Sequence, residues 1–246
     1  MAEGGFQVGV RRNEFSSEWY AIFLDSIPAA TTEAELRGIE RWLPAGRFPR
    51  LLDVCCGPGR HARALAARGH RVLGVDANAE AVSRAAAAAP PGARFRTLDM
   101  RALDALRESF DGVLSLWHSF GYFDDAGNRD ALRQMAARLT PNGRLLIDVY
   151  NRDHIAKLPL QEHLERGGRV VHSRRSWDGP RHRVVLEYEG GGSDEVEFQL
   201  YTPEEFTELA RSVGLRPLLA CAWFRESVRP SEDHARMQLL FERQDA

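Results

Sequence analysis

Lysine is all but missing from this chain. Among its 246 residues are 33 basic side chains, and only Lys157 is a lysine. A phosphate loop ending in Gly-Lys-Ser/Thr is thereby excluded, because Lys157 follows Ala156. No Gly-x-Ser-x-Gly nucleophile elbow is present either. Cysteine is scarce, limited to Cys55, Cys56 and Cys221. Strand neighbours do not pair readily, and no Cys-x-x-Cys or spaced His pair marks a zinc or other metal site. Free thiols fit a reducing compartment. Long apolar runs are also lacking. The longest uncharged stretch, Gly112 to Phe123, is too short to span a bilayer. The expectation is a cytoplasmic protein with no membrane partner. Charge of one sign is not in excess, since 33 basic face 35 acidic residues. The arginines are spread along the chain, so electrostatics makes no case for a nucleic-acid partner.

What is present is ordinary globular composition, 43% hydrophobic and 28% charged, on a length that suits one α/β domain or two small ones. From Arg50 to Asn151 strand and helix patterns alternate. Leu51 to Cys56 is a short buried strand, and Ala62, Leu65, Ala66 and Gly69 recur at helical spacing. Arg71–Asp76, Arg94–Leu98, Phe110–Leu116 and Arg144–Tyr150 read as four further strands. Such alternation implies a parallel sheet with right-handed crossovers. The period then changes. Val184, Leu186 and Tyr188 alternate with polar residues, Gly190-Gly191-Gly192 turns the chain, and Val196, Phe198 and Leu200 alternate again. This is an antiparallel hairpin, joined by a strand near Arg169 to Trp177. Thr202-Pro203-Glu204-Glu205 opens a helix through a capping box. Two last strands are expected at Leu215–Phe224 and Met237–Glu242. The segment up to Pro44 reads as two helices packed on the main domain.

The sharpest chemical signal is Asp53-Val54-Cys55-Cys56-Gly57-Pro58-Gly59-Arg60-His61-Ala62, joining a buried strand to a helix. Glycines there let backbone approach a ligand, and a helix start offers free N–H groups. Asp76 ends the next strand, where a carboxylate can accept ribose hydroxyls. The loop also fits the G-x-G-x-x-A form of the dinucleotide fingerprint. Asp53 inside the strand, and the lack of a second mononucleotide-binding half, argue against NAD and an oxidoreductase.

On these residues the chain resembles the class I S-adenosylmethionine-dependent methyltransferases, strongly over Leu51 to Asn151 and in layout beyond. Within that class it is similar to small-molecule N-methyltransferases of the glycine and aminosugar kind. The resemblance implies a Rossmann-like, mostly parallel sheet of seven strands with N-terminal helices and an inserted antiparallel cover. It divides a single domain, 1–246, into an N-terminal segment (1–44), a cofactor core (45–155), the cover (156–202) and a C-terminal part of the sheet (203–246). It implies S-adenosylmethionine as cofactor, held by Tyr20, Asp53, Cys55, Gly57, Gly59, Asp76, Ala77, Asp99, Met100, Leu116 and Trp117. In that comparison Asp99 and the Met100 backbone read adenine, and a carbonyl after strand four holds the methionine amine. Phe120, Tyr122, Tyr150 and Arg152 are implied on the side of a small-molecule acceptor, with transfer to nitrogen or oxygen. Tyr150 stands where the glycine enzymes carry a carboxylate-binding Arg, which disfavours glycine itself. His118, past strand four, is either a base that takes the acceptor proton or a residue that only shapes its loop. The alternative function is a non-catalytic protein that binds a nucleoside ligand on the same fold.

Overall fold

A computed structural model describes residues 13–244 of the chain. A helical turn α1 (Ser17–Trp19) runs into a π-helix (Tyr20–Leu24) and is followed by α2 (Ala29–Trp42). Then come β1 (Arg50–Val54), α3 (Arg60–Ala66), β2 (Arg71–Asp76), α4 (Ala79–Ala87) and β3 (Ala93–Thr97). A 3-10 helix (Met100–Ala105) leads to β4 (Phe110–Ser115), α5 (Asp125–Ala137), β5 (Leu139–Tyr150) and the short α6 (Arg152–Ile155). Four antiparallel strands follow: β6 (Gln161–Arg166), β7 (Arg169–Asp178), β8 (Arg181–Tyr188) and β9 (Ser193–Gln199). The chain closes with α7 (Pro203–Arg211), β10 (Leu215–Cys221) and β11 (Arg236–Arg243).

These elements form two compact units, one of residues 28–158 with 200–244, the other of residues 13–27 with 159–199. The larger unit is a seven-stranded sheet in the order β10-β11-β5-β4-β1-β2-β3. Its first five strands are parallel, and β11 runs antiparallel to both β5 and β10. Strand order reverses between β1 and β4, and such a switch point is where open α/β sheets bind ligands. Leu51, Leu52 and Val54 of β1 are wholly buried, as a central parallel strand requires. One apolar layer joins Leu52, Val113 and Ile147 to Leu132, Met135 and Phe206. The other joins Leu51, Leu114 and Leu146 to Leu36, Ile39 and Leu65. The expected capping box of α7 is present: Thr202 Oγ accepts from Glu205 N–H, and the Glu205 carboxylate accepts from Thr202 N–H.

The smaller unit is the sheet β6-β7-β8-β9 with the N-terminal helical turn. Gly190, Gly191 and Gly192 all have positive φ, as the β8–β9 turn demands. Two features depart from the sequence reading. Strand β6 was not expected, because Glu162, His163, Glu165 and Arg166 leave it little apolar character and it lies at an edge. Its signal was the Gly167-Gly168 pair, a two-residue hairpin turn with φ of 57° and 73°. The first N-terminal helix also groups with this sheet rather than with the larger unit. Ser16 donates from N–H and Oγ to the buried Asp194 carboxylate (2.8 and 2.6 Å), which Tyr188 also holds. The first 12 residues of the expected N-terminal segment lie outside the described residues.

Candidate active site

The glycine loop is shaped by three left-handed residues, Cys55 (φ 59°), Gly57 (φ 53°) and Gly59 (φ 79°), which swing the chain from β1 into α3. Its Gly57 N–H donates to Asp76 Oδ2 at 2.8 Å, and Asn78 N–H donates to Oδ1 at the same distance. The acid at the end of β2 thus ties two βα loops together. Each oxygen keeps accepting capacity, since a carboxylate offers about four lone-pair directions. Burial pushes the Asp76 carboxyl up, against the two N–H donors. Cys55 and Cys56 are pushed up further by burial and by the neighbouring acids, so neither thiol is a nucleophile at neutral pH.

Asp53, 3% exposed within β1, is the most perturbed acid here. Burial and the charge of Asp76 raise it to about 7, outweighing Arg60 and the Ala62 N–H. Its unfolded value lies near 3.8, so between pH 4 and 7 the folded state binds the extra proton. Stability from this group is full below about pH 4 and is lost as pH rises towards 7, by at most about 1.4 kcal/mol per unit. Asp53→Asn removes the titration. Urea unfolding without added ligand should therefore show the variant gaining on the wild type between pH 4 and 7, with little further change above that. A difference independent of pH would refute the assignment.

After β4 the chain makes an unusual turn. Trp117 and His118 both have left-handed backbones, with φ of 57° and 60°. Bulky residues adopt this conformation only where the surroundings enforce it. Here Trp117 N–H donates to Asp148 Oδ2 (3.0 Å), His118 N–H to the Asp148 carbonyl (2.8 Å), and Ser119 Oγ to the Leu116 carbonyl (2.9 Å). The Tyr150 N–H donates to His118 Nδ1 at 3.1 Å, and the two rings lie 4.3 Å apart. The neutral imidazole therefore carries its hydrogen on Nε2. Tyr122 Oη reaches the His118 carbonyl at 3.1 Å.

Beneath this turn lies a buried ionic cluster that sequence reasoning missed. Glu35 of α2, 6% exposed, accepts from Arg60 Nη1 (2.7 Å), His61 Nε2 (2.8 Å) and Trp117 Nε1 (2.8 Å). Arg236 at the start of β11 pairs with Asp148 of β5, and Gln238 donates to the same carboxylate at 2.8 Å. The Arg60 and Arg236 guanidinium groups stand 4.8 and 4.5 Å from the Trp117 ring. Burial alone would raise Glu35, but the His61 hydrogen bond and the Arg60 and Arg236 charges hold it at about 2. Burial brings His61 down to about 4, leaving it a neutral donor to the carboxylate. Arg60 and His61, placed after the glycine loop, and Trp117, placed after strand four, had a local signal. Glu35, Asp148, Arg236 and Gln238 converge from three distant segments.

The remaining expected residues fall in different settings. Asp99 caps the 3-10 helix through the Arg101 N–H, and the Arg101 guanidinium holds its carboxyl below the usual range. Met100 and Leu116 are buried, so only their backbones suit a ligand. Ala77 lies between Asp76 and Asn78 in the loop after β2. Phe120, 1% exposed, packs edge-on against Phe206, which makes its side chain part of the core. Arg152, partly exposed, pairs with Glu205 at 2.7 Å. Tyr20 is buried in the π-helix of the smaller unit.

Residues 51–143 match the family described as a methyltransferase domain. Over 124 residues the chain is 32% identical to a glycine N-methyltransferase of Mus musculus, covering 43% of this chain and 42% of that protein. It thus spans well under half the length of that relative. It is 28% identical over 180 residues to dTDP-3-amino-3,6-dideoxy-alpha-D-glucopyranose N,N-dimethyltransferase of Streptomyces fradiae, covering 67% and 69% of the two chains. Among solved structures, an S-adenosylmethionine-dependent methyltransferase from Clostridium acetobutylicum superposes with a TM-score of 0.77 at 15% identity, covering 93% of this chain and 97% of that one. That likeness is one of fold.

Proposed function

We propose that this chain is a class I S-adenosylmethionine-dependent methyltransferase that transfers a methyl group to a nitrogen or oxygen of a small-molecule acceptor in the cytoplasm. The observation that carries this reading is the Asp76 carboxylate joined to the glycine loop beside the sheet's switch point. The residues present suit the cofactor's chemistry. Asp76 retains accepting capacity for ribose hydroxyls, and the Leu116 carbonyl, steadied by Ser119, suits an ammonium donor. Arg60 Nη2 is enclosed with no hydrogen-bond partner among the described residues and suits a carboxylate. The Asp99–Met100 segment would take adenine, with both Asp99 oxygens already accepting from Arg101.

When bound, S-adenosylmethionine supplies a methyl on a sulfonium that needs no further activation. The protein's task is to align the acceptor lone pair and exclude water. His118 faces this task with Nδ1 already accepting from Tyr150, so its Nε2 offers a hydrogen rather than a lone pair. This favours the loop-shaping role over that of a base. An acceptor amine arriving deprotonated needs no base.

The test is transfer of labelled methyl from S-adenosylmethionine to a panel of primary amines and alcohols. Asp76→Ala should weaken cofactor binding by about 1–3 kcal/mol, the range for stranding buried polar partners, or roughly 5- to 150-fold in Kd. Unchanged affinity with an intact fold would remove the ribose assignment. Tight cofactor binding with no transfer to any acceptor would leave a nucleoside-binding protein.

A further inference from the structure

One carboxylate on α2 ties together two segments that lie far apart in the chain. Glu35 stands one helical turn after Thr32, on the face that also buries Ile39. Its Oε2 accepts from Arg60 Nη1 and from His61 Nε2, at 2.7 and 2.8 Å, while Oε1 accepts from Trp117 Nε1 at 2.8 Å. Thr32 Oγ1 takes a second hydrogen bond from Arg60 Nη1, at 2.7 Å. The guanidinium carbon also lies 4.8 Å from the centre of the Trp117 ring. Arg60 is therefore held in place before any ligand arrives, and the entropy of ordering a long side chain is already spent. Its Nη2 is enclosed and has no partner among the described residues. Trp117 is fixed at both ends, its backbone N–H on Asp148 and its indole N–H on Glu35. A buried ion pair gains little over apolar packing of the same volume, so the presence of Glu35 here is better explained by what it holds than by stability.

We propose that Glu35 is the positioning residue for the amino-acid end of the cofactor. Through Arg60 it aims the donor for the carboxylate, and through Trp117 it fixes the turn that offers the Leu116 carbonyl to the ammonium. All of these residues belong to the larger unit. The inference rests on the methyl-transfer reading above and adds the group that stands behind both contacts. It also makes a prediction of sign. By charge alone Glu35 should oppose a ligand carboxylate, being an anion already 2.7 Å from the same guanidinium. Positioning requires the reverse.

The test is titration calorimetry of the full chain with two probes. S-adenosylhomocysteine carries the amino-acid end; 5′-methylthioadenosine has the same adenosine and sulfur without it. The wild type should prefer the first by about tenfold or more, the worth of one hydrogen bond to a charged group. Glu35→Gln, equal in size, should remove most of that preference and leave 5′-methylthioadenosine within about twofold, the tolerance for uncoupled sites. Arg60→Met should do the same. The double variant should lose far less than the product of the two single losses, because Glu35 acts through Arg60. Thr32→Val, at a half-buried position, loosens Arg60 without touching the ion pair. It should weaken S-adenosylhomocysteine alone by a few-fold, and it decides the matter if Glu35→Gln does not fold. Tighter S-adenosylhomocysteine binding by Glu35→Gln, as charge alone demands, overturns the proposal. So does an equal loss of both probes with a lower Tm, the mark of a carboxylate that only stabilises the fold. A preference left intact by Glu35→Gln, or by Thr32→Val where that variant decides, overturns it too, as does a wild type with no preference. Failure of the methyl-transfer reading shows separately, as a wild type that binds neither probe.

Discussion

Asp148→Ala should destabilise the protein by about 3–5 kcal/mol, the range for breaking a buried ion pair from one side. Asp148 is fully enclosed and receives Arg236, the Gln238 amide and the Trp117 N–H. Removing it leaves a guanidinium, already pushed down to about 10 by burial, facing only the more distant Glu35 at 3.8 Å. It also releases the Trp117–His118 turn, whose left-handed backbone needs that anchor. For a chain of this size the loss corresponds to a fall in Tm on the order of 10 °C. Amide exchange at Trp117 and His118 should quicken more than in the core of β1. Asp148→Asn keeps one acceptor and should lose less. A Tm within 2 or so degrees of wild type for Asp148→Ala, roughly 1 kcal/mol or less by the same scaling, would show that the cluster contributes little.

Gly59→Ala should cost about 2–5 kcal/mol through two separable effects. The position has φ 79°, and a side chain in that region costs about 1–2 kcal/mol. An added Cβ would also lie 2.8 Å from two Phe95 ring atoms and 3.0 Å from Ala85 Cβ. Overpacking of that kind costs about 1–3 kcal/mol. The ring cannot retreat easily, because it rests equally closely on Gly74 of β2, at 2.6 Å from where that residue's Cβ would be. Adding Phe95→Leu should recover the packing part and leave the backbone part, a coupling that a double-mutant cycle measures. Cofactor affinity should fall with the single change, since the start of α3 moves. Full additivity of the two substitutions would place the whole cost in the backbone.

The glycines of the loop were legible in the sequence, but the reason for Gly59 was not. The sequence suggested close approach of a ligand. The structure adds a Phe95 ring from β3, some 36 positions along the chain, which no local pattern reveals. The same holds for Phe120, whose place beside strand four suggested the acceptor and whose ring packs on Phe206 of α7. His118 was located correctly, past the end of β4, yet its tautomer depends on a backbone N–H of β5.

What the sequence determined by itself was everything set by period and local turn chemistry. The alternation of buried strands and helices gave the parallel sheet, Asp53 to Ala62 with Asp76 gave the glycine turn between β1 and α3, and Thr202 to Glu205 gave a helix start. Each of these depends on neighbours within a few residues, where backbone preference and side-chain spacing act directly. Tertiary structure alone decided the cluster of Glu35, Arg60, Trp117, Asp148 and Arg236 and the grouping of the first helix with the four-stranded sheet. Charges and hydrogen bonds inside a protein are set by which groups the fold brings within about 3 Å in low dielectric. That proximity is a property of the packed chain, not of any stretch of it.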